Sequence, residues 1–113
     1  MKNHVEVAAY IHHATAHSGK TNQQIADETG FPQGNFISML RHGRSQLPLT
    51  RVHALAKSMG TDPAVLFEGC LAAYHPELHR AFKLLAPSML ISRGELAVVH
   101  ALRHAVQSGA FAT

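Results

Sequence analysis

The stretch GFPQGNFISMLRHG, residues 30–43, constrains the fold more than any other part of the chain. Gly30, Pro32 and Gly34 interrupt regular structure, yet Phe36, Ile37 and Leu40 follow at once with the spacing of an apolar helical stripe. The chain therefore has to turn within a few residues and enter a short helix. Gln33, Asn35, Ser38 and Met39 then lie off the buried face of that helix.

Start and stop signals on either side predict further helices. Asn3 with Glu6 has the spacing of a capping box, Val5, Ala8 and Ile11 fall on one face, and HSG stops this first helix near Ser18. Thr21 with Gln24 repeats the cap, Ile25 and Ala26 form a short apolar spot, and Gly30 suits a left-handed helix end about two turns later. Pro48 is placed for a first helical turn, with Leu49, Val52, Ala56 and Met59 on one side and Gly60 as terminator. Asp62 and Pro63 open the next helix, which carries Val65, Leu66 and Phe67. Pro76 and Pro87 are expected to divide the last third. Ser92 with Glu95 would cap a final helix bearing Leu96, Val99, Leu102 and Val106 before Gly109.

With 113 residues, 46% hydrophobic content and only 6% aromatic residues, this pattern predicts an all-α fold. The expected architecture is a compact bundle of about five short helices containing a helix-turn-helix, over residues 1–70, plus a C-terminal helical extension over residues 71–113. Gly30 allows the turn, and Ala26 is small where the two helices must approach. Ile25, Ile37 and Leu40 can bury between them.

Several classes of function are disfavoured. Cys70 is the single cysteine, so no internal disulfide framework is possible. No stretch approaches the roughly 20 apolar residues that span a bilayer, and MKNHVEVAAY lacks the apolar core of a signal peptide. No membrane association and a cytoplasmic location are the resulting expectations. HPELH, residues 75–79, is not the zinc-protease motif, because the acid follows the proline rather than the first histidine. There is neither a nucleophile elbow nor a glycine-rich phosphate loop, so no enzymatic activity and no cofactor are expected.

The formal net charge is +3, and it is unevenly placed. Residues 20–60 hold five basic side chains (Lys20, Arg41, Arg44, Arg51, Lys57) against two acids (Asp27, Glu28), while the remainder is balanced at five and five. The excess positive charge thus surrounds the turn, where a polyanion would dock. The plainer account is a solvated basic surface. A helix N-terminus offers free amide donors to phosphate, and Gln and Asn side chains can pair with the edge of adenine in the major groove.

Residues 21–67, TNQQIADETGFPQGNFISMLRHGRSQLPLTRVHALAKSMGTDPAVLF, resemble the phage-repressor, or xenobiotic-response-element-like, helix-turn-helix regulators. The resemblance rests on Ile25, Ala26, Gly30, Ile37, Ser38, Gly43, Leu55, Ala56 and Asp62 in combination. It implies DNA contacts at the starts of the second and third helices: Asn22 and Gln23 on phosphate, Gln33, Asn35 and Met39 toward bases, with Ser38 also at the DNA and Arg41 and Arg44 flanking them. One departure is that FPQGNF places six residues between the turn glycine and Ile37, where the family usually has five. Gly34 either brings the backbone close to a phosphate or loosens the turn.

Two classes of function follow. In the first, the chain is a sequence-specific regulator of transcription, a repressor acting as a homodimer on a pseudo-palindromic operator in double-stranded DNA. In the second, it is an antitoxin or adaptor whose C-terminal helices, residues 71–107, grip another protein. The ten histidines add a variant of the first, a metal-responsive regulator. His13 and His17, His75 and His79, and His100 and His104 are each four apart, which places both rings on one helix face, and Glu77 lies within one pair. Abundance alone also generates such spacings.

Overall fold

The computed structural model describes Met1 and residues 3–89, and among these every regular element is helical. The first helix, α1 (His4–Ser18), starts where the sequence indicates: Asn3 Oδ1 accepts from the Glu6 amide at 2.9 Å, and Asn3 Nδ2 donates to Glu6 Oε1 at 2.8 Å. Ala8 and Ile11 lie on its buried face as expected, and Val5 does not. Val7, Ala8, Ile11, Ala14 and Thr15 are covered, whereas Val5 is 77% exposed. Two residues along a helix amount to a rotation of about 200°, so burying Val7 turns Val5 toward solvent.

Helix α2 (Asn22–Thr29) is fixed at both ends by local chemistry. The Gln24 amide donates to Thr21 Oγ1 at 3.1 Å while the Thr21 amide donates to Gln24 Oε1 at 2.8 Å, which completes the predicted capping box. At the other end Gly30 has φ 87°, and the Gly30 and Phe31 amides both donate to the Ala26 carbonyl at 2.9 Å. That left-handed turn favours glycine. A Cβ here would also stand 2.8 Å from Arg51 Nη1, which reaches the Thr29 carbonyl at 3.4 Å.

Four residues later α3 (Gly34–Arg41) begins, with Ile37 and Leu40 buried as predicted. Phe36 is half-buried against Phe31, with ring centroids 4.5 Å apart. A short 3-10 turn (Leu49–Arg51) follows Pro48 and leads into α4 (Val52–Met59), which Gly60 terminates. Asp62 Oδ1 accepts from the Ala64 amide at 2.9 Å and caps α5 (Pro63–Tyr74). Pro76 opens α6 (Pro76–Met89). Pro87 does not divide this region as expected: it lies inside α6, near the end of the described residues, where it removes one intrahelical hydrogen bond without ending the helix. The expected final helix, with Leu96, Val99, Leu102, Val106 and the His100 and His104 pair, lies outside the described residues.

One unit comprises Met1–His79, and a second begins at Arg80. The core of the first is a single cluster in which Ile11, Ile25, Ala26, Ile37, Leu40, Leu47, Leu55 and Leu66 are almost completely buried. Helix α2 packs on α3 and α4, and α1 on α3, α4 and α5. Each of the fully buried Ile and Leu side chains contributes about 1.5–3 kcal/mol, so the bundle holds α2 and α3 firmly. The thiol of Cys70 lies in the same core, where burial pushes its pKa up to about 11 from 9.0 against the opposing effect of a hydrogen bond with Tyr74. No helix among the described residues is long and apolar enough to cross a membrane.

Candidate nucleic-acid interface

Two cross-helix hydrogen-bond arrangements set the geometry around the turn. In the first, Gln23 on α2 uses both ends of its amide: Oε1 accepts from the Gly34 amide at 3.0 Å and Nε2 donates to Asp27 Oδ1 at 2.8 Å. The Gln33 side chain forms no capping hydrogen bond, so Gln23 satisfies the first orphan donor of α3 from outside the helix. In the second, Arg41 spans three helices. Its Nη1 donates to Asn22 Oδ1 at 2.9 Å and its Nε to His12 Nδ1 at 3.2 Å. The start of α2 is thereby tied to both ends of α3.

At Gly34 the two helices approach closely. A Cβ on it would stand 2.9 Å from Gln23 N, 3.0 Å from Gln23 Cα and 3.2 Å from Asn22 C, all of them backbone atoms. Gly34 therefore permits a protein–protein approach inside the domain, a role distinct from the two considered for it in the sequence.

Against that frame the expected contact residues separate into groups. Gln33 and Asn35 are exposed at the beginning of α3, where the positive end of the helix dipole also lies. Asn35 has only a long approach of its Nδ2 to Met39 Sδ, 4.0 Å. Ser38 and Met39 are half-buried one turn further on, and the Ser38 carbonyl accepts from the His42 ring at 2.7 Å. Asn22 and Gln23 stand together at the start of α2, each already hydrogen-bonded within the domain. Arg44 is exposed after Gly43; its amide donates to the Met39 carbonyl at 2.9 Å, and its side chain makes no hydrogen bond or ion pair among the described residues.

The chain matches no family model, no curated protein and no solved structure.

The other cations of the basic segment differ in availability. Lys20 Nζ is committed to Glu28 at 2.6 Å and to the Ser58 carbonyl at 2.8 Å. Hydrogen bonds from Lys20, first, and from the Ser58 hydroxyl hold the Glu28 carboxyl below its ordinary value. Arg51 is engaged with the Thr29 carbonyl, while Lys57 is exposed. Summed charge alone could not distinguish these states.

Sequence reasoning missed His12 and His42. Together with His4, His13 and Arg41 they line a groove of about 430 Å³ whose apolar floor is Val5, Ala8 and Ala9. The His12 and His42 rings lie 6.3 Å apart, joining positions 30 residues distant in the chain, a proximity that no local pattern encodes. Of the histidine pairs noted in the sequence, His13 and His17 do share a face, with ring centroids 6.0 Å apart, and His17 Nδ1 faces the His13 carbonyl at 3.0 Å. His75 precedes α6 and His79 lies within it, 3.5 Å from Glu68. No group of three or more residues able to hold a metal ion occurs among the described residues.

Proposed function

We propose that this chain is a sequence-specific DNA-binding regulator of transcription, acting as a repressor and as a homodimer on a pseudo-palindromic operator. The observation that carries the reading is the exposed pair Gln33 and Asn35 at the start of α3, on a helix whose position is fixed by the Gln23–Gly34 and Arg41–Asn22 hydrogen bonds. Amide side chains of this kind can donate to and accept from an adenine edge, which reads sequence in the major groove. The neighbouring N-terminus of α2 and the exposed Arg44 supply phosphate contacts, which fix register without reading bases. Arg41, expected from the sequence as a direct contact, instead supports Asn22 in the free protein.

The dimer rests on a separate observation. Leu78, Phe82 and Leu85 recur at intervals of four and three along α6 and are 54%, 45% and 55% exposed. An apolar stripe with that spacing suits a partner helix, and a second copy would bring two α3 helices to two half-sites roughly one DNA turn apart. The same stripe also supports a second reading, in which another protein covers α6 and the chain is an antitoxin or adaptor. Selection of bound sequences from random duplex DNA, followed by gel shift of the winning duplex, tests the first reading. Absence of any enriched sequence and of retention at low salt would overturn it.

A further inference from the structure

The groove beside α3 contains one histidine whose hydrogen bond differs in kind from the others. His4 Nε2 faces the Gly43 carbonyl at 2.9 Å and His42 Nδ1 the Ser38 carbonyl at 2.7 Å; outside the groove, His17 Nδ1 faces the His13 carbonyl at 3.0 Å. A ring nitrogen that faces a carbonyl must donate, and a protonated imidazole donates equally well. His12 is opposite. Its Nδ1 faces Arg41 Nε, which carries a hydrogen and can only donate, so His12 must accept and must be neutral at that nitrogen.

Adding a proton to His12 Nδ1 would place two N–H groups and two positive charges 3.2 Å apart. Nothing in the groove offsets them. Its titratable and charged members are His4, His12 and His13 from α1, Arg41 from α3 and His42 just beyond it, with no Asp or Glu in the lining. The α2 residue that holds the other end of Arg41 is the neutral Asn22. The anion that would suit a protonated groove therefore has to come from outside, and the proposed DNA backbone beside Asn22 is such an anion.

We infer that His12 is a proton-sensitive positioning residue: neutral, it holds Arg41 across the start of α2, and protonated, it releases the guanidinium toward a DNA phosphate, so that binding tightens as pH falls. The inference rests on the DNA-binding reading. Because linkage is reciprocal, DNA favours the protonated form to the same extent that the proton favours DNA. A single coupled proton limits the effect to at most about tenfold in affinity per pH unit.

The test has two parts, both using the full-length chain. In the first, NMR follows the His12 ring and the Arg41 Nε–H without DNA from about pH 8 to pH 5.5, across the range in which imidazoles change charge. The Arg41 signal should move with the same midpoint as the His12 ring, and this movement should vanish in His12→Gln, which offers an uncharged acceptor at every pH. In the second, affinity for a selected duplex is measured over the same range at constant salt. The wild type should tighten by roughly threefold or more, beyond any change in His12→Gln, while His53→Gln on α4 keeps the wild-type slope. An Arg41 signal indifferent to His12 overturns the inference whatever DNA does. Equal slopes in wild type and His12→Gln overturn the positioning role even if the signals are coupled. Coupled signals with no DNA binding at any pH refute the DNA-binding reading, and with it the direction in which Arg41 is released, while leaving the His12–Arg41 switch itself established.

Discussion

A methyl group at residue 34 would collide with the backbone of α2. Gly34→Ala should destabilise the fold by about 1–3 kcal/mol in urea unfolding, because neither Gln23 N nor Asn22 C can move without shifting the helix. Asn35→Ala should do the reverse. Its exposed side chain adds little to stability, so the melt should stay within about 0.5 kcal/mol of wild type, while discrimination at one base pair falls by about 1–3 kcal/mol in competition binding. Arg44→Ala should weaken all sequences alike and flatten the salt dependence, as loss of a phosphate contact does. Uniform loss from both Asn35→Ala and Arg44→Ala would mean that α3 is not the reading helix. Cys70 gives a residue-scale prediction for alkaline pH. The folded thiol ionises at about 11 and the unfolded one near 9.0, so stability is intact below pH 9 and declines as pH rises toward 11. The loss is on the order of 2 kcal/mol. Tyr74, whose pKa burial also raises, acts in the same direction. Cys70→Ala should flatten this decline in denaturation measured at several alkaline pH values.

Among the elements, α2 is the most dependent on its ends, because eight residues make little more than two turns. Thr21→Ala removes one half of the capping box and should cost about 1 kcal/mol in thermal unfolding. Glu28 near the other end predicts a loss in acid. Its folded pKa lies below the ordinary 4.5, so the support from Lys20 and Ser58 is complete above that value and disappears as pH falls through the lower, folded value. Glu28→Gln should lack that part of the acid decline. Helix boundaries were the most legible feature of the sequence, since Asn3, Thr21 and Asp62 cap and Gly30 and Gly60 terminate through contacts a few residues away. Contacts across the fold were not. Gln23 meets Gly34 and Arg41 meets His12 across 11 and 29 residues, and such pairs follow from how helices pack rather than from any local period. The placing of Val5 on one face with Ala8 and Ile11 failed at Val5 for the same reason: only the neighbours of α1 decide which residues are covered. Gln33 and Asn35 were legible because exposure at a helix start needs only the start to be located.

On the scale of the whole molecule, every residue of the buried apolar core among the described residues lies between Val7 and Leu71. A chain ending at His79 should therefore retain a cooperative, helical unfolding transition and sediment as a monomer, whereas the full-length chain should sediment as a dimer at micromolar concentration. A full-length monomer would remove the proposed symmetry, and an unfolded 1–79 fragment would assign α6 to the core. The position of Cys70 has a practical consequence for following such transitions. It is the sole thiol of the chain, it has no solvent-accessible surface, and its high pKa keeps the reactive thiolate scarce at neutral pH. A thiol reagent consequently meets a silent protein until the bundle opens. The labelling rate then acts as a clock for opening of the folded unit, without any introduced probe, and a cysteine placed on α3 could be tagged on the folded protein without competition from the native one.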